Sequence, residues 1–492
     1  MNRNFFILVL GLGIIVLALA IIIFMMTIQV PGSKPGELPK EFVHQHEVTD
    51  FDLKVFEDRR ERILQDIDAD IIIISSNAMN DFRYLTGFTE RQGIAVIIPG
   101  DEKPFRLFVT PWEVYTVMWT GEVYGTQGAV EKFGADQAYA YSEFEDMLPG
   151  LLEGKASVYI HRSDNMARQA VNRVTSARGQ NVQINDLATI LHEHRLIKDE
   201  WEIAQLKQAI DVTVKAHNYV LQTVKPGLAE YQVQADIEYV FRRNGLGPGF
   251  PSIVGSGPNS CLLHHTRNNR VMKDGDLLLM DIGAESLGGY IADVTRTIPV
   301  NGSFSPEQRE IYELVLKASN EAMKELKPGH NLLDCHHRAV KVLTDALHEM
   351  GLLPDTTSWW QKRFYIQYRI NHFIGLQVHD AGDYGFDDAA RNNHILTPEV
   401  RGRELKPGMI MTNEPGLYFM VGLLDGIHEM FGHLATEEEL NEFVEQVRPV
   451  YEKYEGIGVR IEDDVLITED GNINLSAGAP RTIEEIEAAM SR

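Results

Sequence analysis

Residues 275–300, GDLLLMDIGAESLGGYIADVTRTIPV, set two aspartates among residues that otherwise belong in buried strands. Asp281 ends the apolar run Leu277–Met280. Asp293 sits in a β-branched and aromatic stretch, the composition that favours a pleated, half-buried surface. The arrangement returns further on. Gly408 opens GMIMTNE with Glu414 at its end, and Glu462 lies in GVRIEDDVLIT, residues 458–468. Gly275 to Asp281 and Gly408 to Glu414 are both six residues apart. A carboxylate within an apolar strand is costly to bury unless it is paired or bound to metal. For any one of these acids an ion pair with a nearby arginine is an equal alternative. Four of them in two matched pairs point instead to a shared metal site.

The surroundings repeat as well. Asp199 with Glu202 makes a capping pair ahead of a helix whose Ile203, Leu206, Ile210 and Val214 form one stripe, and Lys225-Pro226-Gly227 ends it. Ser305-Pro306 opens a second such helix, with Ile311, Leu314, Val315 and Ala318 on one face and another Lys-Pro-Gly at 327–329. Each stop is followed by a further helical stretch ending near a glycine, Gly245 or Gly351. The order predicts a duplicated α+β unit from about residue 195 to 492, each half giving one acidic pair. Ahead of it, strand-like runs at 71–74, 94–98, 105–109 and 158–160 are separated by helical stretches such as 51–67 and 164–178. That alternation predicts a smaller α/β domain over 51–190.

The first 50 residues read differently. From Phe5 to Ile28 there are 24 residues without a charge, enough to span a bilayer, and no small-x-small cleavage site follows. Arg3 precedes the run, so a single uncleaved transmembrane helix is expected, holding the body on the periplasmic or extracytoplasmic side. Residues 29–50, rich in Pro, Gly and charge, read as its linker. Lys and Arg number 46 against 71 Asp and Glu, a net charge of −25, which repels phosphate backbones and argues against nucleic acid as a partner. Two cysteines, Cys261 and Cys335, cannot build a disulfide framework or a Cys-rich zinc site.

Four converging carboxylates carry more charge than one divalent ion neutralises, so two ions are expected. The segment NHFIGLQVHD, 371–380, can add an imidazole. Oxygen ligands with one nitrogen and no thiol suit manganese first, with cobalt, zinc or iron as alternatives. Paired metals suit hydrolysis, because they lower the pKa of a bridging water and polarise a scissile carbonyl.

Residues 280–302, HFIGLQVHD at 372–380, TNEPGLYF at 412–419 and GVRIEDDVLIT at 458–468 together resemble the metal motifs of the pita-bread metallopeptidases. Within that superfamily the chain is most similar to Xaa-Pro aminopeptidase (aminopeptidase P) and prolidase. NDFRYLTGF, 80–88, is similar to the N-terminal domain of these enzymes, and IVGSGPNSCLLHHT, 253–266, to a substrate-site histidine loop. The resemblance implies a pita-bread catalytic domain and the metal ligands Asp281, Asp293, His372, Glu414 and Glu462. It implies that Asp293 and Glu462 bridge the ions, that Glu414 takes the proton of the attacking water, and that His264 and His379 orient substrate and stabilise the oxyanion. His265 is then an unconstrained neighbour of His264. Arg460, two residues before Glu462 on the same strand face, is expected to pair with a site carboxylate.

Two features depart from the family's pattern. Tyr368-Arg369 stands where a His-Gly pair is usual, so both are candidate substrate-binding residues of an altered pocket. The segment between Glu414 and Glu462 is long and ends in an acidic amphipathic helix, as in prolidases, and its His428 and His433 read as loop residues. The expected activity is removal of an N-terminal residue preceding proline. The alternatives are a dipeptidase of Xaa-Pro and a catalytically inactive peptide-binding module. The partners expected are proline-containing peptides, the membrane through 5–28, and further copies of the chain.

Overall fold

Four consecutive isoleucines, Ile71–Ile74, can only form a strand covered on both faces, because successive side chains of a strand point to opposite sides. In the computed structural model, which describes residues 50–121, 123–386 and 399–491, they form β1 (Ile71–Ser75). It pairs antiparallel with β2 (Gly93–Ile97) and parallel with β5 (Ser157–Ile160). With β3 (Phe105–Val109), β4 (Gln137–Ala140) and β6 (Gln183–Asp186) the sheet runs β4-β3-β2-β1-β5-β6. Ile71 and Ile73 pack with Phe144, Leu148 and Val171 on one side. Ile72 and Ile74 pack on the other with Trp201, Leu206, Tyr290, Ile374 and Ile410. That second face is therefore closed by segments next to His372 and Glu414. The edge strands β4 and β6 were not expected; QAYA and QIND are short, polar and only partly buried.

The second part of the chain begins at the predicted capping pair. Asp199 accepts from Glu202 N and Glu202 returns a bond to Asp199 N, opening the helix Glu200–Thr223. A helix over Glu230–Arg243 follows. Short β7 (Gly247–Pro248) precedes β8 (Ile253–Ser256) and β9 (Leu277–Ile282). After β10 (Ala284–Glu285), which pairs with β7, comes β11 (Val294–Pro299), completing a sheet in the order β11-β9-β8. The scheme then repeats with helices Pro306–Met323 and Asp334–Glu349, and with β12 (Ile410–Asn413). Past β13 (Gly416–Tyr418) and β14 (Gly458–Arg460), which pair together, β12 joins β15 (Asp463–Thr468) and β16 (Gly471–Asn474). Gly275 and Gly408 both take positive φ, +82° and +88°, in the turns that start β9 and the approach to β12, which is what a side chain would resist.

The acids differ in one respect from their expected place inside strands. Asp281 lies within β9, but Asp293 immediately precedes β11, Glu414 follows β12, and Glu462 separates β14 from β15. At strand ends the side chains are released from the pleat and can converge.

The membrane-anchored architecture is corrected. Among the described residues no helix is long and apolar enough to cross a membrane. The longest, Glu200–Thr223, carries Glu200, Glu202, Lys207, Asp211 and Lys215, charges that a bilayer core would exclude. The expected span 5–28 and nearly all of its linker lie outside the described residues, so the transmembrane helix, the membrane as partner and the extracytoplasmic placement have no support in the fold.

Candidate metal centre

The centre forms where two ladders meet. Across β9 and β11, Asp281 stands opposite Thr295. Glu462 N donates to Thr295 O (3.1 Å), and Thr295 Oγ1 donates to Glu462 Oε2 (2.6 Å), tying one half to the other. Asp293 N donates to Asp464 Oδ2 (3.0 Å). The segment around His372 runs beside β12: Thr412 N donates to His372 O (2.9 Å), His372 N donates to Thr412 Oγ1 (3.1 Å), and Glu414 N donates to Ile370 O (2.8 Å). Asn371 fixes the start of this segment through Leu332 O (2.6 Å).

These bonds bring His372 Nε2 to 3.5 Å from Asp293 Oδ2, 3.5 Å from Glu414 Oε1 and 4.0 Å from Glu462 Oε1. Asp281 joins them through Arg460, whose Nη2 donates to Asp281 Oδ2 (2.5 Å), so the expected ion pair of Arg460 is present. His372 Nδ1 lies 3.1 Å from Phe373 O. A carbonyl only accepts, so Nδ1 carries the proton and the bare lone pair of Nε2 faces the carboxylate oxygens. Acceptors facing acceptors at this distance are relieved by a proton or a metal ion between them. Two ligand atoms bound at about 2.1 Å to one ion lie roughly 3–3.5 Å apart.

The electrostatics agree. Burial, and then the charges of Glu462 and Asp281, push Asp293 well above the carboxylate range. Burial, then Glu414 and Asp281, do the same to Glu462. Glu414 is pushed to about 8 by burial, against the pull of Arg460. His372 is lowered to about 3, mainly by burial. Asp281 Oδ1 and Asp293 Oδ1 are buried without a hydrogen-bond partner among the described residues. Four carboxylates, one imidazole with its lone pair presented, and no thiol fit divalent cations. Both cysteines are buried and free, and neither is among the grouped ligands.

A cavity of about 670 Å³ opens onto this centre, lined by the five residues above and by His264, Tyr368, Arg369, His379 and Arg460. His379 lies with its ring 4.2 Å from that of His372, and enclosure by the wall, ahead of the Arg369 charge, lowers its pKa. Tyr368 Oη donates to Glu414 O (3.0 Å) and contacts Tyr418 Oη (2.8 Å). Arg369 Nε donates to Asn371 O (2.7 Å), and its guanidinium lies 4.4 Å from the Tyr384 ring.

Some expectations need revision. His265 is not unconstrained: it is buried against Glu230 Oε2 (3.0 Å), while His264 is the exposed member of the pair. His428 lies in a short helix, Ile427–Phe431, where it contacts Asn441 Oδ1 (3.0 Å) rather than in a loop; His433 lies just beyond that helix. Sequence reasoning also missed the support. Glu230, fully buried, accepts from Ser256 N, Ser256 Oγ, Asn259 Nδ2 and Arg270 N, and so gathers the loop that carries His264. Arg296 donates to Glu462 O and to Asp463 Oδ1, both at 2.7 Å. Arg195 bonds both Asp81 and Asp380, bracing the turn after His379 against the helix Met79–Thr86, where Asp81 also meets His161 (2.7 Å) and His192 (3.1 Å). The run Glu462-Asp463-Asp464 in an apolar strand was the one visible signal for any of this.

The model of metallopeptidase family M24 matches residues 204–469, and that of the aminopeptidase P N-terminal domain matches 77–160. Xaa-Pro aminopeptidase of Escherichia coli (strain K12) is 36% identical over 427 residues, covering 84% of this chain and 88% of that protein. Xaa-Pro aminopeptidase of Haemophilus influenzae is 34% identical, covering 83% and 87%. The solved structure of Pseudomonas aeruginosa aminopeptidase PepP superposes with a TM-score of 0.76 at 33% identity, covering 89% of this chain and 98% of that one.

Proposed function

The chain belongs to metallopeptidase family M24, and on that premise we infer that it is a Xaa-Pro aminopeptidase, hydrolysing the bond between an N-terminal residue and a following proline. It uses divalent metal. Asp281, Asp293, His372, Glu414 and Glu462 would hold two ions, manganese first. When bound, the ions supply Lewis acidity to the scissile carbonyl and make water a nucleophile at neutral pH.

The chain's own groups do the rest. Glu414 would take the proton of the attacking water and return it to the proline nitrogen as that amine leaves. His264 and His379, on separate loops of one cavity, donate to the oxyanion as the carbonyl becomes tetrahedral. Arg460 orients Asp281 through its bond to Oδ2. Residues 51–190 act as a separate domain bracing the catalytic part, 195–492, through Asp81, Arg195 and Asp380. Self-association is supported by the helix Val114–Thr120, which buries none of its residues and exposes Tyr115, Met118 and Trp119.

The observation that carries the reading is the His372 lone pair turned toward Asp293, Glu414 and Glu462. It is tested by metal analysis alongside hydrolysis of Ala-Pro-Ala and Ala-Pro. Chelation abolishes cleavage and manganese restores it, with the tripeptide the better substrate. Asp293→Asn loses metal and orders of magnitude in rate. Full activity in a metal-free preparation, or in that variant, would refute the centre, and a strong preference for Ala-Pro would make the enzyme a dipeptidase.

A further inference from the structure

Three arginines line the cavity, and two are engaged: Arg460 by Asp281, Arg369 by Asn371 O and the Tyr384 ring. Arg363 differs. It stands on the helix Trp359–Tyr365, and among the described residues its guanidinium has no hydrogen-bond or ion-pair partner; its carbon lies 5.6 Å from the Trp359 ring. No carboxylate of the described residues pairs with it, in a chain that carries a net charge of −25. Its Nη1 is buried and bonded to nothing described. Arg363 nevertheless lines the cavity, so a carboxylate that enters there meets a guanidinium that no described carboxylate holds.

The helix is held rigidly, so the charge has a defined place. Trp360 and Phe364 pack into an aromatic group with Phe431 and Phe443; the Phe364–Phe431 centroid distance is 5.9 Å. Phe431 and Met430 belong to the long segment after Glu414 and also line the cavity. Arg363 therefore adjoins an apolar wall contributed by that segment.

We propose that Arg363 binds a substrate carboxylate, with Met430 and Phe431 contacting the apolar residue that bears it, so that the enzyme favours short peptides Xaa-Pro-Yaa with apolar Yaa and a free C-terminus. The inference rests on the aminopeptidase reading and names its substrate class. Planar guanidinium and carboxylate match bidentately, and an uncharged amide terminus offers no such partner.

The test compares kcat/KM for Ala-Pro-Leu, Ala-Pro-Leu-NH2, Ala-Pro-Leu-Leu and Ala-Pro-Glu-NH2 in the manganese-loaded full chain and in Arg363→Gln and Arg363→Lys. The free acid is cleaved roughly tenfold better than its amide by the natural chain, mostly through KM. Arg363→Gln abolishes that ratio by raising KM for the free acid, while Arg363→Lys keeps part of it. A higher rate for Ala-Pro-Glu-NH2 than for Ala-Pro-Leu-NH2, lost in Arg363→Gln, would assign the site to an acidic side chain instead and overturn the free-terminus claim. Equal rates for acid and amide, or a preference that survives Arg363→Gln, refute the proposal while cleavage of the amide still upholds the aminopeptidase. Failure to cleave any of the four would count against the aminopeptidase itself.

Discussion

Glu230→Gln is expected to damage the active site from outside it. The Glu230 carboxylate is fully buried and receives Ser256 N (2.7 Å), Ser256 Oγ (2.8 Å), Asn259 Nδ2 (3.0 Å) and Arg270 N (3.0 Å), with His265 Nε2 at 3.0 Å. Glutamine keeps one oxygen and turns an NH2 toward donors. It leaves two or three of these groups unsatisfied, at about 1–3 kcal/mol each, or about 3–5 kcal/mol in all once the loop relaxes. Burial opposes ionisation of Glu230, but the bonds from Arg270 N and Ser256 outweigh it and hold its pKa below the ordinary value. A carboxylate depressed on folding stabilises above its unfolded pKa, about 4.3, and loses that contribution as pH falls through the folded value. The difference between natural chain and variant should therefore be full at pH 7 and shrink below about pH 4. Urea midpoints at several pH values, with amide exchange over residues 253–270, measure it. His264 rides on this loop, so kcat should fall as well. A loss under about 1 kcal/mol at pH 7, or a loss independent of pH, would show that Glu230 does not organise the loop.

Thr295→Val removes the hydroxyl that donates to Glu462 Oε2 and accepts from Arg460 Nε (3.1 Å); metal affinity, read by competition with a chelator, should fall about 10- to 100-fold with little change in fold. Tyr368→His with Arg369→Gly removes the bond to Glu414 O and the guanidinium over Tyr384, and should widen the range of residues accepted after proline; an unchanged profile in a peptide library would place the pair outside substrate contact. Phe364→Ala, at a site 1% exposed among four aromatic neighbours, should cost about 3–5 kcal/mol in denaturation and raise KM by loosening the wall that holds Met430.

The legible parts of the fold were those where one residue type repeats at a physical period. Ile71–Ile74, the Asp199–Glu202 box and the stripe Ile311, Leu314, Val315, Ala318 each state their structure locally. QAYA and QIND do not, because an edge strand is held by its neighbour's hydrogen bonds rather than by its own apolar pattern. Residues 5–28 lie outside the described residues and pose a different question. Apolarity over a given length says what a segment would do as a helix in a bilayer, and no described helix has that character.

At the site, the acids were visible because a carboxylate in an apolar strand is an anomaly in one dimension. Their supports are not. Thr295, Tyr418 and Glu230 are ordinary residues until folding brings Thr295 Oγ1 to Glu462, Tyr418 Oη to Arg460 (2.8 Å) and Glu230 to the His264 loop. Net charge misleads in the same way. The chain as a whole is strongly acidic, yet Arg363, Arg369 and Arg460 all line the one cavity where its substrate would sit. Potential at a site is set by the nearest charges and by how little water screens them. The five proposed ligands spend their charge on the ions, and Arg460 balances one of them. The cavity beyond the ions is then governed by Arg369 and Arg363, so the substrate end that lies there should be the anionic one.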